Sequence, residues 1–312
     1  MLKAESYTFK ARDGKEIGYT LWPIDKNEPI KGVVQIAHGI GEHIGRYEEV
    51  AVALNREGFV VYGNDHRGHG LTANNGKTLG QYEGESFWED TIEDLREMTE
   101  LIKSEHPNSF FIFLGHSLGS LLGRDYISRF GGMVDAVIIS GTAGYIKFLG
   151  PAGVAITNLL RRFKGSSATS PLIESFFFDQ FNRKFKPNRT KLDWISRDEL
   201  RVDKFAKDPL RSEKFSIGIL YGAALGGKMA NAPETFQNTP KDLPMYIFSG
   251  DQDPVGEMGA GVKRVYRDFK NAGMKNLTLK LYPGGRHEMF NEVNRKEVVK
   301  EMVNWIHKVI AI

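Results

Sequence analysis

The chain has 312 residues, 41% hydrophobic and 26% charged, with no cysteine and a formal net charge of +3. That length suits one elaborated domain with a sizeable core, and the lack of cysteine excludes disulfides, thiolate catalysis and cysteine-ligated metal. No run of eighteen apolar residues exists, and the N-terminus lacks the apolar stretch and cleavage site of a secretory signal, so a soluble, cytoplasmic protein is expected.

Tyr7 to Lys10 and Glu16 to Trp22 flank the turn dipeptide Asp13-Gly14, which predicts an opening antiparallel hairpin at a sheet edge. Gly32 to Ala37 reads as a buried strand that runs into His38-Gly39-Ile40-Gly41-Glu42-His43. A glycine-rich bend after a strand bares backbone N–H groups, and in acyl-transfer enzymes such a loop supplies an oxyanion donor. Arg46 to Arg56 reads as helix and Phe59 to Gly63 as the next strand, ending in Asn64-Asp65-His66-Arg67-Gly68-His69-Gly70. Asp65, His66 and His69 invite a zinc site, but no further ligands group with them. A hydrogen-bonded structural loop fits better, and no metal is assigned. Trp88 to Ser104 is an amphipathic helix, with Ile92, Leu95, Met98, Leu101 and Ile102 on one face.

The five apolar residues Phe110 to Leu114 show no polar alternation, the pattern of a strand buried on both faces of a parallel sheet. Gly115 ends the run. Leu118, Leu121, Leu122, Tyr126 and Ile127 then fall at helical spacing, so Ser117 stands at a sharp strand-to-helix corner. Such a nucleophile elbow holds its serine in a strained backbone conformation, and Gly115 and Gly119, on either side of His116, Ser117 and Leu118, let strand and helix approach closely. Val134 to Ser140 is another strand. Strands alternating with helices through short loops imply a mainly parallel sheet covered on both faces.

From Gly144 to Asp242 the strand signals vanish. Helical patterns replace them: Ala152 to Phe163, led by Gly150-Pro151, with Ala152, Ala155, Ile156, Leu159, Leu160 and Phe163 on one side; Leu172 to Phe185, with the cluster Phe176-Phe177-Phe178; Arg197 to Lys207; and Phe215 to Leu225. This predicts a helical insertion, 144–242, in a core formed by 1–143 and 243–312. Residues 146–240 carry 16 Lys and Arg against 9 Asp and Glu, while the remainder carries 26 against 30. Such an asymmetry suits an anionic surface or substrate as well as a solvated basic face. Strands return at Met245 to Ser249, closed by Gly250-Asp251-Gln252-Asp253-Pro254, and at Leu277 to Tyr282, closed by Pro283-Gly284-Gly285-Arg286-His287. A helix, Gly261 to Asn271, lies between them, and an amphipathic helix through Val298, Met302, Trp305 and Ile306 ends the chain.

Open parallel sheets carry functional residues on the loops that leave the carboxyl ends of their strands. Here those loops hold His38, Gly39 and Ile40, then Ser117, Asp253 and His287, and the order Ser, Asp, His is that of the α/β-hydrolase serine triad. In that chemistry His287 takes the proton of Ser117 as it attacks a carbonyl, and Asp253 fixes the imidazole tautomer. The backbone N–H groups of Ile40 and Leu118 would meet the developing oxyanion.

On these residues the chain resembles the monoacylglycerol lipase and lysophospholipase branch of the α/β-hydrolases. His38 to His43 matches the family's HGxGEH, Asp65 to Gly70 is similar to its DxRGHG loop, Gly115 to Gly119 to its GHSxG elbow, Gly250 to Pro254 to its acid turn, and His287 to Glu292 to its histidine segment. The resemblance covers nearly the whole chain. It implies a mostly parallel eight-stranded sheet flanked by helices, Asp253 rather than Asp251 as the acid, and a cap at 144–242 whose apolar face forms an acyl tunnel. It also implies a single-chain lipid ester, monoacylglycerol or lysophospholipid, as substrate, with no cofactor and no metal. Ser120 stands where a second glycine is common, and the cap lacks cysteines that some relatives carry, so substrate choice does not transfer directly. A short-chain carboxylesterase, a weakly catalytic ligand-binding receptor, and a peptidase or haloperoxidase are the alternatives. No nucleic-acid partner is expected, and the oligomeric state is left open. Helix Ala152 to Phe163, ending in Arg161, Arg162 and Lys164, suits peripheral contact with a lipid surface, unless its apolar face packs onto the cap itself.

Overall fold

The computed structural model describes residues 3–25, 27–144 and 151–311, the side chains of Pro151 and Phe176 excepted. Gly150, expected to lead the helix at Ala152, and the Phe176 side chain of the phenylalanine cluster therefore lie outside the described residues. The predicted hairpin is β1 (Glu5–Lys10) and β2 (Glu16–Trp22), turned by Gly14 at φ +87°. β3 (Gly32–Ala37), α1 (Glu48–Arg56, preceded by a 3-10 turn at Ile44–Tyr47), β4 (Phe59–Asn64) and α2 (Phe87–Glu105) follow. Next come β5 (Phe110–His116), α3 (Leu118–Phe130) and β6 (Ala136–Ser140). Every residue of β3, β4 and β6 is buried, and all but Phe110 in β5, as expected for strands covered on both faces.

Between β6 and β7 (Met245–Gly250) the chain runs through α4 (Pro151–Lys164), α5 (Pro171–Phe178), α6 (Glu199–Ala206), α7 (Ile217–Met229) and α8 (Pro233–Asn238). The continuous helix expected from Leu172 to Phe185 is two pieces, α5 and a 3-10 turn at Phe181–Phe185. α8, which the sequence reading does not foresee, packs its Phe236 edge-on against Phe269, 4.8 Å between ring centroids. α9 (Ala260–Asn271), β8 (Leu277–Tyr282) and α10 (Arg295–Ile310) complete the chain.

The eight strands form one sheet in the order β1-β2-β4-β3-β5-β6-β7-β8, with β1 and β2 antiparallel and all pairs from β4 onward parallel. One face packs on α2, α3 and α9, the other on α1 and α10, so the sheet is sandwiched between two apolar layers. α7 lies against α2 through glycines: a Cβ on Gly226 would stand 2.0 Å from the Trp88 ring, and one on Gly222 2.7 Å from Phe87. Because β3, β5, β7 and β8 run parallel, the loops after Ala37, His116, Gly250 and Tyr282 all emerge on one edge of the sheet.

Candidate active site

Ser117 has φ 53° and ψ −115°, a conformation that L-residues rarely adopt, and it lies between β5 and α3 as expected of an elbow. The close approach has a direct cause. A Cβ on Gly119 would sit 2.0 Å from the carbonyl oxygen of Ala37, and one on Gly115 2.3 Å from that of Gly119. The Ser120 hydroxyl donates to the Ser117 carbonyl, so the departure from a second glycine is accommodated within the first turn of α3.

His287 follows β8 and Asp253 follows β7. Their side chains meet: His287 Nδ1 lies 3.0 Å from both carboxylate oxygens of Asp253. Asp253 is fully buried and accepts further from the Ser249 hydroxyl at 2.8 Å and the Val255 N–H at 2.9 Å. Asp251 instead faces the turn, accepting from the Gly284 N–H at 2.8 Å. The two aspartates are thus divided, Asp253 pairing with His287 and Asp251 with the turn. Burial pushes the Asp253 carboxyl upward, but the charge and hydrogen bond of His287 outweigh it and hold it below the usual carboxylate value. The same pair acts on His287, where burial disfavours the cation and Asp253 raises the pKa above its ordinary value.

Four other buried histidines behave oppositely. Desolvation holds His38 well below its ordinary value, His66 at about 3, and His69 and His116 at about 4, so all four are neutral. Their hydrogen bonds build the loops: His38 Nδ1 pairs with the Gly39 carbonyl at 2.7 Å while its Nε2 accepts from the His66 N–H at 3.0 Å. His69 Nε2 accepts from the Gly41 N–H at 3.0 Å. The loop from Asp65 to Gly70 is a hydrogen-bonded scaffold, with Asp65 receiving the N–H groups of Ile44 and Leu71 at 2.7 and 2.8 Å.

Near Ser117, backbone donors sort themselves by elimination. Gly39 donates to Glu42 at 2.6 Å, Gly41 to His69, Ser117 to the Ser140 carbonyl at 3.0 Å and Gly119 to the His38 carbonyl at 3.0 Å. The N–H groups of Ile40 and Leu118 have no acceptor among the described residues, which leaves them free to donate to a ligand. His287 Nε2 is likewise buried without a partner, and no hydrogen bond joins it to Ser117. Such contacts often tighten only when substrate binds. Ser117 opens into a pocket of about 70 Å3 walled by Leu121, Ala143, Phe177, Phe181, Ala223 and Val255.

The sequence reading missed two supports. Arg46 forms a bidentate pair with Glu288, at 2.9 and 2.6 Å, and also binds Glu42, whose other oxygen takes the Gly39 N–H and the Tyr47 hydroxyl. Burial would push Glu42 up, yet Arg46, His116 and Tyr47 hold it at about 2. One guanidinium thus ties the oxyanion loop to the residue after His287. The i, i+4 spacing of Glu42 and Arg46 hinted at half of this, whereas Glu288 is 242 positions away from Arg46. The second support is Trp194, whose ring lies tilted against His287 at 5.0 Å and 36°, and whose segment accepts from the Glu288 N–H through the Ile195 carbonyl at 2.7 Å.

Residues 28–294 match the Hydrolase_4 family, described as serine aminopeptidase, S33. Among curated proteins, a monoacylglycerol lipase of Mycolicibacterium smegmatis is 30% identical over 305 residues, covering 96% of each chain. Among solved structures, a thermostable carboxyl esterase from Bacillus coagulans, in complex with glycerol, superposes with a TM-score of 0.92 at 27% identity, covering 99% of this chain and all of that one. A lipase in an open form gives a TM-score of 0.90 at 27% identity, covering 99% of both chains. The matched span and the whole-length likeness agree with the eight-stranded fold: the chain belongs to the Hydrolase_4 family of α/β-hydrolases, in its monoacylglycerol lipase branch.

Proposed function

We propose that the protein hydrolyses the ester of a single-chain lipid, a monoacylglycerol foremost, with Ser117 as nucleophile, His287 as general base and acid, and Asp253 as the group that orients it. The observation that carries this reading is the His287 ring: Nδ1 is spanned by both oxygens of Asp253 at 3.0 Å, and Nε2 is buried and unpaired on the same sheet edge as Ser117. His287 would take the Ser117 proton as the hydroxyl attacks the ester carbonyl, then give it to the leaving alcohol. Ile40 and Leu118 would donate to the oxyanion, each worth about 3 kcal/mol in such sites. A hydrolysis panel of glyceryl esters and lysophospholipids of graded chain length tests the substrate class. Preference for water-soluble acetyl esters over monoacylglycerols would favour the short-chain carboxylesterase, and a single slow turnover would favour a receptor.

Residues 144–242 would act as the cap, and its helix α4 supports a role at a lipid surface. Gly153 and Thr157 are buried on α4, while Ile156, Leu159 and Phe163 are 52%, 57% and 81% exposed, and Leu172 at the start of α5 is 85% exposed. Part of the expected apolar stripe therefore faces solvent, flanked by exposed Arg162 and Lys164, the composition of an interfacial helix, while Leu160 and the neighbouring Val154 pack against the core. Arg161 differs from its neighbours: it donates to the Glu85 carbonyl at 2.8 Å and lies over the Tyr221 ring. No helix among the described residues is long and apolar enough to cross a membrane.

A further inference from the structure

Arg124, on α3, is fully buried, and among the described residues no carboxylate accepts a hydrogen bond from it. Its Nη1 donates to the Ala143 carbonyl at 2.8 Å and to the Thr142 hydroxyl at 3.3 Å. Its Nη2 donates to the Ala230 carbonyl and to Asn231 Oδ1, the latter at 2.9 Å, while Nε is buried without a partner. The rings of Phe236 and Phe269 lie 5.4 and 5.9 Å from its guanidinium carbon. A buried cation with no anion beside it is costly, and an apolar side chain of like volume would cost less. What the planar fork offers instead is two sets of donors in fixed, divergent directions.

Those two arms reach opposite ends of the helical region. Ala143 follows β6, just before that region begins, and Ala230 caps the far end of α7. Both ends also serve the pocket at Ser117. Ala143 is one of its walls, Ala223 is another, about two turns before Ala230 on α7, and Leu121 is a third, about one turn before Arg124 on α3. Arg124 therefore stands behind three walls and is bonded to the backbone that carries two of them. The pocket they enclose is about 70 Å3. An apolar cavity of roughly 150 Å3 admits a single benzene ring, so this one takes a short acyl group and its walls must part for a longer one.

We infer, resting on the serine-esterase reading above, that Arg124 is a positioning residue that sets acyl-chain selectivity. By holding Ala143 and the end of α7 together it keeps the pocket short, and an ester with a longer chain enters only by stretching one of the two arms. Short esters leave both arms intact. The residue touches neither the ester bond nor the triad, so its effect lies in the choice between substrates and not in the chemical step.

The test uses the full chain and compares kcat/KM for p-nitrophenyl decanoate with that for p-nitrophenyl butyrate, both kept below micelle-forming concentrations. The two esters share a leaving group and the same triad, so a variant that folds poorly or disturbs His287 slows both and leaves the ratio unchanged. Arg124→Met removes both arms, keeps a long unbranched side chain, and should raise the decanoate-to-butyrate ratio about tenfold. Asn231→Ala removes one acceptor and should raise it about threefold. Asn231→Asp sets a carboxylate against the guanidinium, tightens that same arm, and should lower the ratio about threefold. If Arg124→Met does not fold, the opposite signs of the two Asn231 variants carry the test. A ratio that does not rise in folded Arg124→Met, or Asn231 variants that leave it unchanged or shift it the same way, would overturn the inference and leave the esterase standing. No nitrophenol release from the wild type would overturn the esterase reading and the inference with it.

Discussion

The carboxyl edge of the sheet and the helices above it treat polar and apolar groups in opposite ways. At the edge, Glu42, Glu288 and Asp253 are buried, Arg46 is half-buried between the two glutamates, and each of these charges has a partner. On α4 and α5, Ile156, Leu159, Phe163 and Leu172 stand exposed, with no apolar layer over them among the described residues. Burying ions costs several kcal/mol each unless geometry compensates, and exposed apolar patches invite association. Both departures from an ordinary protein surface and interior fall where the proposed function needs them: fixed dipoles at the reaction centre, and a face that meets lipid.

The largest effect expected of any change to the edge is that of Ser117→Ala, which should lower kcat by on the order of 10^6 while thermal unfolding stays near wild type. A loss within tenfold would break the comparison at its root. Asp253→Asn should lower kcat about 10^4-fold, since His287 loses the group that fixes its tautomer, and Asp251→Asn, which touches only the turn, should stay within about threefold. Steady-state kinetics on a soluble ester separates the two. Arg46→Met leaves Glu42 and Glu288 buried without their cation and should cost about 3 to 5 kcal/mol in denaturant unfolding. A cost below about 1 kcal/mol would mean that the edge is not held by paired charge.

On the helical side, replacing Ile156, Leu159 and Phe163 together with Ser should lower turnover of long-chain monoacylglycerol in anionic vesicles about tenfold and leave a short nitrophenyl ester unchanged, because only the first requires docking. Arg162→Gln with Lys164→Gln should have a smaller effect that vanishes at high salt. Equal effects on both substrates would make the patch a feature of the site and not of a surface. The mildest signature is in pH. His287 works as a base only when neutral, and its pKa is raised above the ordinary 6.5, so kcat/KM should fall as pH drops through a value above 6.5. Removing the negative partner with Asp253→Asn should move that limb to lower pH. His66, His69 and His116, already neutral down to about pH 4, should add no limb near neutrality.

Much of the edge is legible in the sequence because its signals are local. The apolar run at Phe110 and the glycines at 115 and 119 each report a backbone constraint within a few residues, whereas the preference for Asp253 over Asp251 rests on the family resemblance. The Arg46 pair with Glu288 and the Trp194 contact with His287 join segments that only the fold brings together, so no spacing announces them. The helical region fails differently. Periodicity correctly gives an apolar stripe on α4, but period alone does not say whether a stripe faces a core or solvent. Here the stripe is split: Gly153 and Thr157 go inward with Val154 and Leu160 half-buried beside them, while Ile156, Leu159 and Phe163 point outward. The break after Phe178 and the helix Pro233–Asn238 are too short for a periodic signal to define.

The account stands or falls on whether Ser117 is the atom that becomes acylated. Treating the protein with a fluorophosphonate ester, which reacts with activated serines, and mapping the adduct by peptide mass spectrometry decides it. We predict one adduct per chain, on the peptide holding Ser117, formed in step with loss of esterase activity and absent from Ser117→Ala. An adduct on Ser120, Ser140 or another serine with Ser117 unmodified, or esterase activity that survives full labelling of Ser117, would contradict it.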